Sequence, residues 1–312
     1  MYNKDKVGVV IINYNSADYI FNCLEHVFKQ TVNTKVVVID NTPSDGVAER
    51  INKIYEGQVE VLCTGTNLGA AKANNLGIVA CGTYYTLVLN ADVYLSQNYI
   101  EKLVEQMESD SNISECQGLL VSESNDQVID SAGVEFFSEV VGIDRAYGKD
   151  ITSQELQSQL VDGTCCAAAL YRRTSLDQIA LSDGEFYDQD LFAYYEDYDL
   201  SRRLRFINSK AHFCKEALGR HVRGGSTAKE SDFVKVLRIS NLFLLYRRYS
   251  GQQNIISKVL NILFLSIIFI KGLDCIKPVT ERIKTIKLRK IKNARNLPNK
   301  RSYLLNKFIK EI

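Results

Sequence analysis

No apolar run in this 312-residue chain reaches the ~20 residues that a helix needs to cross a bilayer. Nor does a G-x-G-x-x-G follow the first apolar segment, which excludes the dinucleotide fingerprint of an oxidoreductase. A glycine-rich basic loop is missing there too, which argues against a nucleotidyltransferase cradling a triphosphate. The eight cysteines show neither C-x-x-C pairing nor zinc-ligand spacing. They read as free thiols in a reducing compartment, several of them packed as small hydrophobes. Internal repeats and low-complexity tracts are absent. The apolar stretch Val7–Ile12 follows a polar start and is too short for a secretory h-region, so export is not expected.

What is present is a chain with 46% hydrophobic residues, enough for one large core or two small ones. Its net charge of +1 conceals an asymmetry. Residues Asn241–Ile312 carry 16 Lys and Arg against 3 Asp and Glu, and the first 240 residues carry 22 against 34. A basic tail of this kind meets an anionic surface, and aliphatic composition with little aromatic interleaving favours phospholipid over nucleic acid. Within it, Val259–Ile270 holds twelve uncharged residues bracketed by Lys258 and Lys271. That pattern suits an interfacial helix, with a buried core helix or a homodimer contact as the alternatives.

The first 110 residues alternate strand and helix signals, the mark of a parallel sheet covered by helices. Strands are expected at Val7–Ile12, Lys35–Asp40, Val59–Leu62 and Tyr84–Leu89. Helices are expected from Ala17 to Gln30, with Ser16 as cap, through Ile51 and Ile54, and over the small-residue stretch Ala70–Ala80. Cys116–Val121 and Val134–Phe137 predict an antiparallel extension, and Asp197–Asn208 a helix. After His221 the pattern turns helical.

Asn90-Ala91-Asp92 stands at the exit of the fourth strand, where open α/β sheets bind ligands. A carboxylate there is a hard oxygen ligand for Mg²⁺ or Mn²⁺. Asp40 ends the second strand and faces the same crevice, able to accept hydrogen bonds from a base or ribose. Gly69 and the alanines beside it let a ligand approach the backbone, and Lys72 reaches toward phosphate. Five acids between Asp188 and Asp199 are interleaved with Phe192, Tyr194, Tyr195 and Tyr198. Acids near a helix start favour its dipole, and Asp199 can pair with Arg202 or Arg203. Aromatics mixed with acids also offer a sugar stacking faces and hydroxyl acceptors, and Asp197 is the candidate general base. His221 lies among Arg220, Arg223 and Ser226, which can face phosphate oxygens, although a solvated loop histidine is the plainer reading. His26 and His212 have no expected role.

Taken in order, Val9–Ser16, Val36–Asn41, Asn67–Gly77, Leu87–Asp92 and Phe192–Leu204, the last preceded by Asp162–Arg173, resemble glycosyltransferase family 2. The similarity covers about residues 5 to 245 and looks closest to rhamnosyltransferase-type members that build bacterial surface polysaccharides such as O-antigen or capsule. It implies a GT-A fold: α/β, with a Rossmann-like, mostly parallel central sheet, helices on both faces, a small antiparallel extension and C-terminal helices. It implies an inverting, metal-dependent enzyme with a nucleotide-diphosphate sugar donor and a lipid-linked glycan acceptor. By matching positions, Tyr14, Asn15 and Asp40 hold the base, and Asn67, Gly69, Lys72, Asn75 and Asn90 line the ribose and diphosphate. Asp92 is the metal ligand, completed by His221, and Asp197 is the base, with Glu196, Tyr195 and Gly163 on the acceptor side. One position departs: Asn90 replaces the first acid of D-x-D, leaving one fewer anionic ligand for the cation. The expected division is a catalytic domain over 1–245 and a basic, partly amphipathic helical extension over 246–312, peripheral on the cytoplasmic face of the membrane.

Each Lys or Arg near an anionic surface contributes roughly 1 kcal/mol, so the tail suffices as an anchor. Liposome flotation with and without residues 250–312 checks this. Recovery with anionic vesicles should depend on that segment, and equal recovery in the soluble fraction would exclude the anchor.

Overall fold

The computed structural model describes residues 3–42, 44–136, 142–223, 231–249, 266 and 273–286. The expected interfacial helix (Ser266 apart), the loop residue Ser226 and the tail from residue 287 lie outside the described residues. Strands β1 (Asn3–Asn13), β2 (Thr34–Asp40), β3 (Val59–Cys63) and β4 (Thr83–Asn90) alternate with helices α1 (Ile20–Phe28), α2 (Val47–Ile54) and α3 (Gly69–Cys81). Strand β1 pairs in parallel with β2 and β4, and β2 in parallel with β3. There follow β5 (Val93–Leu95), α4 (Tyr99–Ser109), β6 (Ile113–Ser122), β7 (Asn125–Ser131), the ribbon β8 (Val134–Phe136) and β9 (Gly142–Asp144), and β10 (Gln159–Val161). Then come β11 (Ala168–Arg172), α5 (Arg173–Ile179), α6 (Glu196–Phe206), β12 (Lys210–His221), α7 (Asp232–Tyr249) and α8 (Ile276–Thr285).

The main sheet runs β10-β12-β6-β11-β4-β1-β2-β3, with β5 on β12 and β7 on β6. Strand β11 is antiparallel to both β4 and β6, so β6, expected as part of an antiparallel extension, runs in the direction of the central strands. Val134–Phe136 pairs with β9 in a separate ribbon instead of extending the sheet. Strands at the centre are buried on both faces, and their alternation sends successive side chains to two cores. Val9, Ile11, Val36, Val38, Leu87 and Leu89 pack under α1, α2 and α4. Val10, Val37, Ile39 and Val88 pack under α3, α5 and α6. Each buried aliphatic side chain contributes about 1.5–3 kcal/mol, so these layers supply most of the fold's driving force. Helix α3 lies close to the sheet because a side chain at Gly77 would collide with Val10. All eight cysteines are free thiols.

One local expectation changes. Helix α1 starts at Ile20 with no side-chain cap, because the Ser16 hydroxyl donates instead to Asn13 Oδ1 at 2.7 Å. Helix α7 runs unbroken from Asp232 to Tyr249. Arg248 and Tyr249 close onto α6: Arg248 Nη1 donates to Asp199 Oδ1 at 2.6 Å, as does the Tyr249 hydroxyl at 2.7 Å. Arg203 Nε donates to the other Asp199 oxygen at 2.8 Å, the partner the sequence allowed, and Arg248 also pairs with Asp188. Asp199 and Arg203 are fully buried. Among the described residues no helix is long and apolar enough to cross a membrane.

Burial alone would raise the Asp199 carboxyl, but Arg248 and Arg203 outweigh it and hold it at about 2 against an ordinary 3.8. A depressed carboxyl stabilises the fold above its unfolded pKa, and that contribution drains as pH falls through the folded value. Wild-type unfolding free energy should therefore drop between pH 3.8 and 2 more steeply than that of Asp199→Asn, measured by denaturant titration. At neutral pH, Asp199→Ala should cost about 3–5 kcal/mol, because it strips a buried partner from two guanidinium groups.

Candidate active site

The exits of β1 and β2 are stitched together at the strand ends. Asn13 Nδ2 donates to Asp40 Oδ1 at 2.8 Å and to Asp45 Oδ2 at 3.0 Å. Asn41 N donates to Asn13 O at 2.8 Å, and Asn15 N to the Thr42 hydroxyl at 2.9 Å. Asp40 is buried beneath this lattice, Tyr14 is half-buried, and Asn15 is exposed in the left-handed region at φ 51°. Asn67 stands exposed at the entry to α3, where its Oδ1 accepts from Asn41 Nδ2 and Gly69 N, both at 2.9 Å. Lys72 is exposed one turn later. These residues thus share one end of the sheet. Asn75 does not face that opening with a free amide. Its Oδ1 accepts from Phe186 N and Tyr187 N at 3.2 and 2.9 Å, and its Nδ2 donates to Tyr187 O at 2.8 Å. It clamps the 186–187 backbone to α3, which accounts for a buried amide without any ligand.

Asp92 and His221, 129 positions apart, meet because β5 pairs antiparallel with β12, setting His221 opposite Val93. His221 Nε2 lies 3.3 Å from Asp92 Oδ1, and both side chains are buried. The other ring nitrogen, Nδ1, is 2.7 Å from Asp130 Oδ2, and Asp130 Oδ1 takes Arg223 Nε at 2.7 Å. Arg223 Nη2 continues to Asp144 at 2.7 Å. Burial would lower the His221 pKa, but Asp130 and Asp92 overcome it and raise it to about 9. So His221 is no solvated loop residue; it ends a strand between two carboxylates. Arg223 faces Asp130 and Asp144, and Arg220 lies 3.6 Å from Asp126.

Across the crevice, Asn90 is exposed at the end of β4, and its N–H donates to Ala167 O at 2.9 Å. The adjacent Cys166 N donates to Asp197 Oδ2 at 3.3 Å, and Tyr198 N to Asp197 Oδ1 at 2.9 Å. Burial raises the Asp197 carboxyl above the usual range, and the charge of Asp144 adds to it. Glu196 is raised too, by burial and then by Asp197, and its Oε2 has no partner among the described residues. Asp92 and Asp197 are linked by two chains of contacts, through Asn90, Ala167 and Cys166 on one side and through His221, Asp130, Arg223 and Asp144 on the other. Gly163 underlies α6, where a side chain would press on Ser201 at 2.7 Å. Tyr195, half-buried at φ 68°, precedes α6 and stacks edge-on with Tyr198.

Asp130, Asp144 and Asn13 escape sequence reasoning. Each sits in an unremarkable strand and acquires its role from partners 91, 79 and 27 positions away. The donor set suits a hard divalent cation: a carboxylate oxygen and an imidazole nitrogen converge, and the far imidazole nitrogen is fixed by a carboxylate, the usual support for a metal-binding histidine.

The sequence profile of Glycosyl transferase family 2 matches residues 8–180, more than half of the chain. Glycosyltransferase GlyG of Streptococcus pneumoniae serotype 4 is 26% identical over 232 residues, 70% of this chain and 74% of that protein. The Escherichia coli UDP-Glc:alpha-D-GlcNAc-diphosphoundecaprenol beta-1,3-glucosyltransferase WfaP is 27% identical over 105 residues, 33% of this chain and 42% of the relative. Among solved structures, GalNAc-T7 with UDP, GalNAc and Mn²⁺ superposes with a TM-score of 0.57 at 15% identity, over 78% of this chain and 48% of that one. That likeness shows the fold, which is GT-A.

If Asp130 orients the His221 ring toward a cation, Asp130→Asn should weaken Mn²⁺ affinity in the presence of a nucleoside diphosphate by roughly 10–100-fold. Electron paramagnetic titration of free Mn²⁺ reads this directly, and unchanged affinity would remove Asp130 from the site.

Proposed function

The chain belongs to glycosyl transferase family 2, and from that membership we propose that it transfers a sugar, with inversion, from a nucleotide diphosphate to a hydroxyl of a lipid-linked glycan. The product is a bacterial surface polysaccharide such as O-antigen or capsule. The donor is proposed to be dTDP-rhamnose, by resemblance of the motif order. UDP-glucose is the second reading, favoured by the printed activity of the WfaP relative. The same relative's diphosphoundecaprenol substrate supports a lipid-linked acceptor and, with the basic tail, a position at the cytoplasmic membrane face. The observation that supports the reading is the Asp92–His221 contact, linked through Asp130, Arg223 and Asp144 to the surroundings of Asp197.

The base and ribose lie over Tyr14, Asn15 and Asp40, with the diphosphate toward Asn67, Gly69 and Asn90. Lys72, exposed on α3, supplies a positive charge to a phosphate oxygen. A divalent cation, Mg²⁺ or Mn²⁺, held by Asp92 and His221, would offset the negative charge that develops on the leaving diphosphate. At an effective dielectric near 20, a single charge contact at ~4 Å is worth about 4 kcal/mol, so closing this gap matters more than any neutral hydrogen bond. Asp197 accepts the proton of the attacking hydroxyl. Its two oxygens are aimed by the Cys166 and Tyr198 N–H groups, and its raised pKa brings it nearer the pH at which a base is most effective. Glu196, whose carboxyl burial and the charge of Asp197 raise, turns its Oε2, unpartnered among the described residues, to the acceptor. Tyr195 and Gly163 shape the acceptor side. Attack from the Asp197 side, opposite the diphosphate, gives inversion in one displacement.

A sugar-binding protein without catalysis would have no use for a carboxyl raised by burial beside a cation-ready pair. Asp197→Asn should keep donor affinity within a factor of about two while lowering turnover roughly 10²–10⁴-fold. Donor titration calorimetry and a transfer assay measure the two halves separately. Turnover near wild type would assign the base elsewhere.

A further inference from the structure

The segment between Asp188 and α6 carries backbone that bulky residues rarely adopt. Phe192 has φ 64° and ψ −67°, Tyr194 has φ 69° and Tyr195 φ 68°. Left-handed aromatics persist only where the surroundings over-determine them. One side is fixed by α3: Ala71 N donates to Phe192 O at 3.0 Å, and a side chain at Gly69 would stand 2.5 Å from that same oxygen. On the other side Leu191 and Phe192 pack on α7, and one amide there holds three carbonyls. Asn241 Nδ2, on α7, donates to Leu191 O, Ala193 O and Tyr194 O at 2.9, 2.9 and 2.8 Å.

An amide turned the other way would set an oxygen against three carbonyls, so something must fix its orientation. Arg282 on α8 does so. Its Nη1 donates to Asn241 Oδ1 at 2.8 Å and to the Ser240 hydroxyl at 2.5 Å. Its Nη2 donates to Asp190 O at 2.7 Å and Leu191 O at 3.3 Å. One guanidinium thus grips both the amide and the loop that the amide holds. Tyr195 O then accepts from Asp199 N at 3.0 Å, so α6, with Glu196 and Asp197 in its first turn, begins where this loop ends. Arg282 lies far outside the segment that matches the family, 8–180.

We propose that Arg282 is a positioning residue for sugar transfer: by orienting Asn241 it locks the 190–195 backbone and delivers the Glu196–Asp197 pair to the crevice. The proposal rests on the reading of Asp197 as the base. Helix α8 is independently seated by Val279 and Cys275 against Ile239, so removing the guanidinium leaves an apolar contact to hold it.

The test compares full-length wild type, R282A and R282K in transfer kinetics and in hydrogen exchange of the 188–195 segment. Displacing a reacting group by an ångström costs on the order of 100-fold, so R282A should lose roughly that much in kcat with donor KM unchanged. Guanidinium ion at millimolar concentration should restore both kcat and exchange protection. R282K should stay impaired, since an ammonium cannot reproduce a fork that grips four acceptors. Wild-type kcat in R282A overturns the proposal, as does a loss that guanidinium does not restore. If R282A fails to fold, R282K decides: lowered kcat at constant donor KM supports the proposal, and unchanged kcat overturns it. Should wild type itself transfer no sugar from any donor, the transferase reading fails by itself. Loop exchange still judges the clamp, and unchanged exchange in R282A refutes it.

Discussion

The Asp130 carboxylate is the joint on which the site turns, because it holds His221 with one oxygen and Arg223 with the other, both at 2.7 Å. Without those two partners, Asp92, Asp130, Asp144 and Asp197 would have only burial and mutual repulsion to govern them. Like charges so disposed would protonate or separate. Interleaving His221 between Asp92 and Asp130, and Arg223 between Asp130 and Asp144, lets the acids remain close and partly ionised.

The two halves of the apparatus are built by different means. One rests on parallel strand ends, where the sheet itself sets the spacing and short polar residues such as Asn13 and Asn41 cross-link neighbouring exits. The other rests on a loop with unfavourable local backbone, held in shape by α3 on one side and by α7 and α8 on the other. The described C-terminal helices thereby support the start of α6. The Asp199 cluster with Arg203, Arg248 and Tyr249 makes the same connection one turn deeper in α6.

The parallel half of the fold was legible because the central strands carry apolar runs closed by a polar exit, Val9–Ile12 before Asn13, Val36–Ile39 before Asp40 and Leu87–Leu89 before Asn90, a pattern set by burial on both faces. Boundaries slipped where a side chain chose a tertiary partner over a local one: Ser16 turned to Asn13, and α1 began three residues later than a serine cap would place it. Asp92, His221 and Asp197 stood out because carboxylates and imidazoles at strand and helix ends have few local uses. Asn75 misled, since an asparagine on a small-residue helix looks the same whether it meets a ribose or a buried peptide bond. Asp130 was silent, because an aspartate following Val128-Ile129 in a polar stretch reads as an ordinary strand end, and only the fold buries it against His221. Arg282 was concealed among fifteen other basic residues of a tail that composition assigned to a surface.

The measurement that bears most directly on the whole account is a crystal structure of the chain soaked with a nucleotide-diphosphate sugar and Mn²⁺, located by its anomalous signal. The account predicts metal density between Asp92, His221 and the diphosphate, with the anomeric carbon exposed toward Asp197. Metal bound elsewhere, or a sugar whose anomeric carbon faces away from Asp197, would contradict it.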